Sequence, residues 1–181
     1  FKELAKKVKY PLGLQIVTDE EIGGHNGTGY QIEKGIRAEF AIAGEYTNLL
    51  INNRAKGPLW IKVTAKGKTS HGAYVWQGIN AIQKMNRFIN AMNKLYPIPK
   101  KEAWVTTQNL AKIETTNETV NKVPDNCTTT FDIRRIPEEI DQVLPKIKKI
   151  LPKDFVLKIL ENEPAQFAKE TDLYIKRLAK S

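Results

Sequence analysis

The pattern of apolar and polar residues changes at Lys56 and Gly57, and from Pro58 onward it predicts a regular succession of elements. Residues 59–68 alternate apolar and polar side chains with a period of two, which is typical of a half-exposed antiparallel strand. Residues 78–96 repeat apolar side chains at helical spacing and end before the sequence PIP, which stops a helix. The apolar positions of this predicted helix are Ile79, Ile82, Met85, Phe88, Ile89, Met92 and Leu95.

Three more strands and a second helix follow in the same part of the chain. Strands are predicted at 103–116, 127–136 and 155–161, and a helix at 137–151 with Pro137 in its first turn. The order strand, helix, strand, strand, helix, strand predicts a ferredoxin-like α+β domain, in which two helices cover one four-stranded antiparallel sheet. The C-terminal sequence FAKETDLYIKRLAKS predicts the start of a further helix.

The N-terminal part has a different organisation. The apolar runs LGLQIV (12–17) and EFAIAG (39–44) are predicted to be buried strands of an α/β domain. The first is followed by the acidic sequence DEE (19–21), and the second by Glu45. Since α/β sheets place their chemistry at the carboxyl ends of strands, these acids are candidates for a functional site.

Composition and charge exclude several classes of protein. Of the 181 residues, 41% are apolar and 27% charged, which is ordinary for a globular chain, and no apolar run approaches the length of a membrane span. The single Cys127 excludes an intramolecular disulfide and suits a reducing cytoplasm. The net charge of +9 comes from dispersed lysines, which indicate a basic surface able to attract substrates that carry a carboxylate.

The adjacent carboxylates favour a metal site if a cation separates them. Glu20 and Glu21 could divide two tasks of metal-assisted hydrolysis, one as a ligand and the other as the base for a metal-bound water. Glu45 could bring a third carboxylate to the same place. The alternative is an acidic loop that is simply solvated.

Two other residues have both a functional and a structural interpretation. His71, between a predicted strand and a helix, could donate a hydrogen bond to a developing oxyanion, or it could be an ordinary residue at the start of a helix. Arg134 could bind a substrate carboxylate with two hydrogen bonds, or it could pair structurally with Asp132. Arg135 should point to the opposite face of the strand, and Cys127 is expected in the core.

Four segments taken together resemble the M20 family of zinc-dependent aminoacylases and peptidases, of the acetylornithine deacetylase and succinyl-diaminopimelate desuccinylase type. They are DEEIGGHNGTG, GEYTN, GPLWIKVTAKGKTSHGAYVWQGINAI and NKVPDNCTTTFDIRRIPEE, in this order along nearly the whole chain. The resemblance implies a zinc-binding α/β catalytic domain with an inserted ferredoxin-like lid domain. It also implies hydrolysis of the amide bond of an N-acyl amino acid or small peptide, with two zinc ions per intact subunit.

In the catalytic domain, the resemblance implies that Glu20 is the general base and that Glu21 and Glu45 are zinc ligands. The family has a proline after the residue that matches Glu45, whereas this chain has Tyr46.

In the lid, the resemblance implies that His71 is the histidine that reaches the neighbouring subunit of dimeric members and stabilises the tetrahedral intermediate. Asn121 and Arg134 match residues that hold the carboxylate end of the substrate. A homodimer through the lid domain is expected, since the sheet also has edges that must be covered or paired.

The chain lacks the family's His-x-Asp motif, and its only histidines are His25 and His71. Because a catalytic zinc normally needs about three protein ligands, Glu21 and Glu45 cannot hold two ions alone. We therefore expect an internal section of an M20 enzyme that is inactive as given. Its expected parts are a partial catalytic domain at 1–57, the lid at 58–164, and the start of the return to the catalytic domain at 165–181.

Two alternatives remain at this stage. The lid could function without catalysis as a dimerisation module. A basic nucleic-acid-binding domain with the same topology would need aromatic residues for base stacking on its strands, and the sequence FDIRR lacks the glycines of the RNA-binding signature. The sequence therefore favours neither nucleic acid nor membrane as a partner.

Overall fold

The computed structural model describes residues 1–180, which form two compact units. The first unit spans Phe1–Tyr46, and the second begins at Thr47.

The first unit contains short helices joined by irregular segments. Its elements are helix α1 (Lys2–Ala5), a 3-10 turn (Glu20–Ile22), a π-helical turn (His25–Gly29) and helix α2 (Tyr30–Glu33). The strands predicted at 12–17 and 39–44 are wrong, because neither segment is a strand in the structure. An extended segment becomes a strand only when its backbone pairs with a neighbour, and no described segment pairs with either of these.

The second unit is built on a four-stranded antiparallel sheet with the order β3-β4-β2-β5, beside a two-stranded pair of β1 and β6. The fold class predicted from the sequence is confirmed. The strands are β1 (Arg54–Ala55), β2 (Gly57–Lys66), β3 (Thr107–Glu114), β4 (Asn126–Arg135), β5 (Phe155–Asn162) and β6 (Gln166–Phe167); the helices are α3 (Ala81–Leu95), α4 (Val143–Ile150) and α5 (Leu173–Leu178).

The helices begin where side-chain caps or prolines allow. Asn80 starts α3, because its side-chain oxygen accepts a hydrogen bond from the Gln83 N–H at 3.1 Å. The second predicted helix is divided into a 3-10 turn at Pro137–Glu139 and then α4. Pro145 lies in the first turn of α4, where its missing N–H does no harm, so the regular helix starts just before it.

The core lies between one face of the sheet and the helices. The alternating residues of β2 on this face are completely buried, and α3 contributes a buried stripe at helical spacing. The ring of Phe88 lies 6.1 Å from that of Phe131 and 5.9 Å from that of Phe155, which joins α3 to two strands. The main buried residues are Leu59, Ile61, Val63, Ala65, Ala81, Met85, Phe88, Met92, Cys127, Phe131, Ile133, Val143 and Ile147.

Arg135 is a charged residue in this otherwise apolar environment, only 4% exposed. Its guanidinium donates hydrogen bonds to the carbonyl oxygens of Gly57 at 3.4 Å, Pro58 at 2.9 Å, Ile140 at 3.3 Å and Glu163 at 2.6 Å. Burial lowers the pKa of Arg135, and the nearby Asp141 opposes this effect. Arg135 thus joins the start of β2 to the segment that follows β5.

The same two segments are also joined through their backbones. Strand β1 pairs with β6, and the Ala168 N–H donates to the Asn53 carbonyl oxygen at 2.7 Å. The side-chain amide of Asn53 returns a bond to the Ala168 carbonyl oxygen at 2.8 Å. The segment that leads into β2 and the segment that follows β5 are therefore joined by hydrogen bonds into one structure.

None of the helices in residues 1–180 has the length and apolar character that crossing a membrane requires.

The two adjacent arginines give a matched test of this arrangement. We expect Arg135→Met to lower the free energy of unfolding by about 3 kcal/mol, since it leaves buried carbonyl oxygens without donors. Arg134→Met, one residue away but on the exposed face, should cost less than about 1 kcal/mol. Urea unfolding followed by circular dichroism measures both values, and equal losses would contradict the role assigned to Arg135.

Tyr96 predicts a loss of stability at alkaline pH. Burial, and secondarily the charge of Glu139, raise the pKa of Tyr96 to about 12, and its hydroxyl has no hydrogen-bond partner among the described residues. A folded-state pKa above the usual 10 means that the fold favours the neutral phenol over the phenolate, so ionisation of Tyr96 costs no stability below pH 10. As the pH rises from 10 towards 12, the unfolded chain ionises first and stability is lost.

We therefore expect Tyr96→Phe to retain full stability at pH 8 and to lose less stability than the wild type between pH 10 and 12. Tyr10→Phe, at an exposed tyrosine, is the control and should behave like the wild type. Urea midpoints measured across this pH range test the prediction. An unchanged pH dependence in Tyr96→Phe would show that other groups cause the alkaline loss.

Candidate functional site

His71 lies in a tightly closed loop between β2 and α3. Lys68 and Ile79 close the loop with two backbone hydrogen bonds of 2.9 and 2.8 Å. A side chain at Gly67 would collide with the carbonyl oxygen of Ile79, so this crossing of the chain requires glycine. The closed loop gives His71 a fixed backbone.

A second loop, between β3 and β4, brings Asn121 beside His71. The Gly72 N–H donates to the Asn121 carbonyl oxygen at 2.6 Å, and the Val123 N–H donates to the Ser70 carbonyl oxygen at 2.8 Å. A Cβ at Gly72 would lie 3.1 Å from that oxygen of Asn121, tighter than ordinary contact. Two residues that are 50 positions apart in the sequence are thus adjacent in the fold.

The hydrogen bonds of His71 select one form of its ring. Its Nδ1 atom accepts a hydrogen bond from the Ala73 N–H at 3.1 Å. In the neutral imidazole the proton then resides on Nε2, which leaves an N–H donor on an exposed side chain. This donor can bind an oxygen atom that carries partial negative charge.

Arg134 lies on the exposed face of β4 in a small polar network. Its Nε atom donates a hydrogen bond of 3.1 Å to Asp132 Oδ2, and Asp132 Oδ1 accepts a hydrogen bond of 2.9 Å from Trp60 Nε1. Within residues 1–180, Nη1 and Nη2 of Arg134 donate to no protein group. Asp132 therefore orients the guanidinium while its outer edge stays available for a carboxylate.

Both interpretations of Arg134 from the sequence fit this geometry, since pairing with Asp132 uses only Nε. Asp132 and Trp60 were not predicted as site residues. They face each other on the paired strands β2 and β4, a register that alternation along a single strand does not reveal.

The structure does not bring Arg134 together with His71 and Asn121. The loop of Asn121 leads into the first residue of β4, Asn126, whereas Arg134 is eight residues further along this strand. At about 3.3 Å per residue, Asn126 and Arg134 lie about 26 Å apart along the strand, so the two sets are at its opposite ends. A small substrate cannot contact both sets on one copy of the chain.

The three glutamates of the first unit do not form a metal centre within the chain. Glu20 and Glu21 lie on an exposed 3-10 turn rather than at the end of a strand, and Glu45 is exposed in an irregular segment. In residues 1–180, none of the three belongs to a group of three His, Cys, Asp or Glu side chains that could hold an ion. A zinc site needs about three protein ligands, so the residues present do not fit one.

Asp19, the first acid of the DEE sequence, has a structural role. Its Oδ2 atom accepts hydrogen bonds from the backbone N–H groups of Asn26 at 2.8 Å and Gly27 at 2.9 Å. The acid thus fixes the glycine-rich turn that follows.

Cys127 is buried in the core, as predicted, and burial raises the pKa of its thiol. A raised pKa disfavours the thiolate needed for nucleophilic chemistry.

Comparison with known proteins identifies the second unit. Residues 53–157, more than half of the chain, match the family described as "Peptidase dimerisation domain". The matched range begins just before β1 and ends within β5, so it contains β2, β3, β4 and the start of β5, both covering helices and the loops of His71 and Asn121.

Among relatives, an acetylornithine deacetylase of Myxococcus xanthus is 31% identical over an alignment of 162 residues that covers 83% of this chain and 42% of that protein. An aminoacylase-1 of Dictyostelium discoideum is 29% identical over an alignment of 174 residues that covers 80% of this chain and 42% of that protein. The chain thus spans less than half the length of these relatives.

The fold also matches solved structures. A tripeptidase from Staphylococcus aureus superposes with a TM-score of 0.72 at 16% identity, covering 98% of this chain and 49% of that one. The family match, the relatives and this shared fold lead to one conclusion: the chain belongs to the M20 peptidase family and contains its dimerisation domain.

Proposed function

We propose that this chain is a section of an amide hydrolase that releases an amino acid from an N-acyl amino acid or a small peptide, and that its lid domain forms a homodimer. The relatives support the reaction class, since they include a deacetylase and an aminoacylase. The family match over residues 53–157 supports the dimer. A cytoplasmic location is proposed from the single, unpaired Cys127.

The observation that carries the proposal is the separation of the two polar sets along β4. His71 and Asn121 lie at the end of this strand where Asn126 begins it, and Arg134 lies at the other end, about 26 Å along the strand from Asn126. If all three act on one small substrate, they must come from two copies of the chain. A dimer in which one copy supplies His71 and Asn121 and its partner supplies Arg134 satisfies this condition.

The proposed roles follow from the chemistry of each side chain. Arg134 binds the substrate carboxylate with its two outer nitrogens, while Asp132 keeps the guanidinium oriented. His71 donates a hydrogen bond from its Nε2–H group to the carbonyl oxygen of the scissile amide, where negative charge develops during the reaction. Asn121 supplies a polar contact to the same end of the substrate as Arg134.

Glu20, Glu21 and Glu45 remain proposed as the general base and two zinc ligands of the intact hydrolase. The chain does not assemble them into a site, so we assign them no step of the reaction. The glutamates do not form a zinc site within the chain, whereas the lid is folded. Both observations favour a second candidate function for the chain by itself: it could act as a dimerisation module without catalysis.

The chain by itself is expected neither to retain zinc nor to hydrolyse amides. After incubation with zinc and dialysis, elemental analysis should find well under one zinc ion per chain, because Glu21 and Glu45 lack further ligands. Hydrolysis of a panel of N-acetyl-L-amino acids and dipeptides should not exceed the buffer rate. Stoichiometric zinc retained by the wild type and lost by Glu21→Gln would contradict this prediction.

The composite site is tested in the intact hydrolase. His71→Ala and Arg134→Ala should each lower kcat/KM by about a hundredfold or more. When the two inactive variants are mixed, dissociated and reassociated, half of the dimers are mixed, and each has one complete site of two. We expect about one quarter of the wild-type activity to return.

A mixture of His71→Ala and Asn121→Ala is the matched control. If these two residues come from the same copy, every site of the mixed dimer keeps one defect, and activity should not return. Recovery in this control, or none in the His71/Arg134 mixture, would contradict the proposed composite site.

A further inference from the structure

The face of the four-stranded sheet that points away from the helices carries lysines in one line across the strands. Lys62 on β2 lies opposite Thr130 on β4 and, on its other side, opposite Lys158 on β5. On β3, Lys112 lies opposite the same Thr130. The order across the sheet is therefore Lys112, Thr130, Lys62 and Lys158. We call the three lysines, all of which are exposed, the lysine row.

The lysine row places like charges side by side. Lys62 and Lys158 face each other directly on paired strands, where like charges are destabilising. Within residues 1–180, Lys112 is the only member of the row that forms an ion pair, with Glu114 at 2.8 Å. The hydrogen bond from Lys112, and then the charges of Lys112 and Lys62, lower the pKa of Glu114. An anion that lies between the ammonium groups of Lys62 and Lys158 would offset their repulsion.

Trp60 lies on the same face, between the lysine row and Arg134. It precedes Lys62 by two positions on β2, and its register partner is Asp132, the residue that pairs with Arg134. Trp60 Nε1 donates to Asp132 Oδ1 at 2.9 Å, which fixes the indole, and the side chain is 41% exposed. The fixed ring therefore offers an apolar surface on which a hydrocarbon chain can lie.

The distance from Arg134 to the lysine row sets the length of a ligand that contacts both. Arg134 pairs with Pro58, which lies four positions before Lys62 on β2. With about 3.3 Å per residue and about 4.8 Å between strands, the Cα atoms of Arg134 and Lys62 lie about 14 Å apart. Both side chains are long and leave the same face, so their charged ends are separated by roughly this distance.

We propose that the lysine row binds a second anionic group of the substrate, at the far end of its acyl chain. The inference rests on the proposed function and names its substrate class: an N-acyl amino acid whose acyl chain is long and ends in a carboxylate. The amino-acid carboxylate binds Arg134, the hydrocarbon chain lies over Trp60, and the terminal carboxylate lies between Lys62 and Lys158. All these contacts come from one copy of the chain, which agrees with a composite site in which the other copy acts near the scissile amide.

The length of the acyl chain distinguishes the substrates that fit. An extended chain with bonds of about 1.5 Å advances about 1.25 Å per bond. The suberoyl group, from an eight-carbon diacid, puts ten bonds or about 12.5 Å between the two carboxyl carbons of its amino-acid conjugate. The succinyl group gives six bonds or about 7.5 Å, which is too short to reach the lysine row from Arg134. The octanoyl group has the right length but no second charge.

The first experiment measures binding to the chain itself. In protein labelled with 5-fluorotryptophan, the fluorine resonance of Trp60, assigned with Trp60→Phe, is followed during titration with N-suberoyl-, N-octanoyl- and N-succinyl-L-alanine. The suberoyl compound should have a Kd at least about fivefold lower than either of the others, since it alone reaches both Arg134 and the two unpaired lysines.

A pair of double variants assigns this preference to the lysine row. In Lys62→Met/Lys158→Met, the ratio of the octanoyl Kd to the suberoyl Kd should fall to about one. Lys148→Met/Lys153→Met removes the same charge from exposed lysines in and just after α4, and it should keep the wild-type ratio. Because Lys62→Met/Lys158→Met also removes repulsion between paired strands, its Tm should equal or exceed that of the wild type. A lower Tm with an unchanged Kd ratio would assign the two lysines to the fold and overturn the subsite.

The second experiment uses the intact hydrolase. Its kcat/KM for N-suberoyl-L-alanine should exceed that for N-octanoyl-L-alanine by about fivefold, and Lys62→Met/Lys158→Met should bring this ratio to about one. Equal Kd and equal kcat/KM values for the two compounds in the wild type overturn the subsite and leave the hydrolase standing.

Two further outcomes separate the subsite from the proposed function. An intact protein that cleaves neither these compounds nor N-acetyl amino acids overturns the proposed function, and the Kd ratio of the chain then decides on the subsite alone. If inorganic phosphate displaces the suberoyl compound, whereas chloride at the same ionic strength does not, the lysine row is a general anion site and the substrate class is overturned.

Discussion

The structure depends on strand β2, which is hydrogen-bonded along nearly its whole length to β4 on one side and β5 on the other. Its alternating side chains are completely buried under the helices, while the intervening ones face away. The buried side chains of β2 pack against the buried stripe on α3. The apolar area that this contact removes from water is the main source of stability. Because β2 is central, its position fixes the register of β4 and β5, and through β4 that of β3.

The candidate site is a consequence of that sheet. The loops that leave the sheet at the start of β4 carry His71 and Asn121, and the far end of the same strand carries Arg134. A rigid strand holds these two sets apart, so the chain cannot bring them together by a local movement. In the proposed homodimer, a second copy would complete the set.

Much of the second unit could be predicted from the sequence, because its signals are local and agree with one another. The alternation of residues 59–68 and the helical spacing of residues 78–96 each specify one element and its buried face. The strands expected at 12–17 and 39–44 failed for the opposite reason, since a short apolar run does not specify the neighbour that it needs. The pairing of Arg134 with Asp132 could be predicted because both lie on one strand, whereas the contact of Trp60 with Asp132 depends on cross-strand register and could not be found from the sequence. The proximity of His71 to Asn121 depends on the close approach of Gly72 to the backbone of Asn121, between two loops that are distant in the sequence.

Arg134 and Arg135 are chemically identical neighbours, yet one faces solvent and the other supports the base of the sheet from within. Because side chains alternate between the two faces of a strand, only the difference of one position separates the two functions. An insertion or deletion of a single residue within β4 would exchange them, moving a solvated guanidinium into the core and the buried one onto the surface. Length changes during evolution should therefore be excluded from this strand and concentrated in segments such as 97–106, between α3 and β3, where no parity has to be kept.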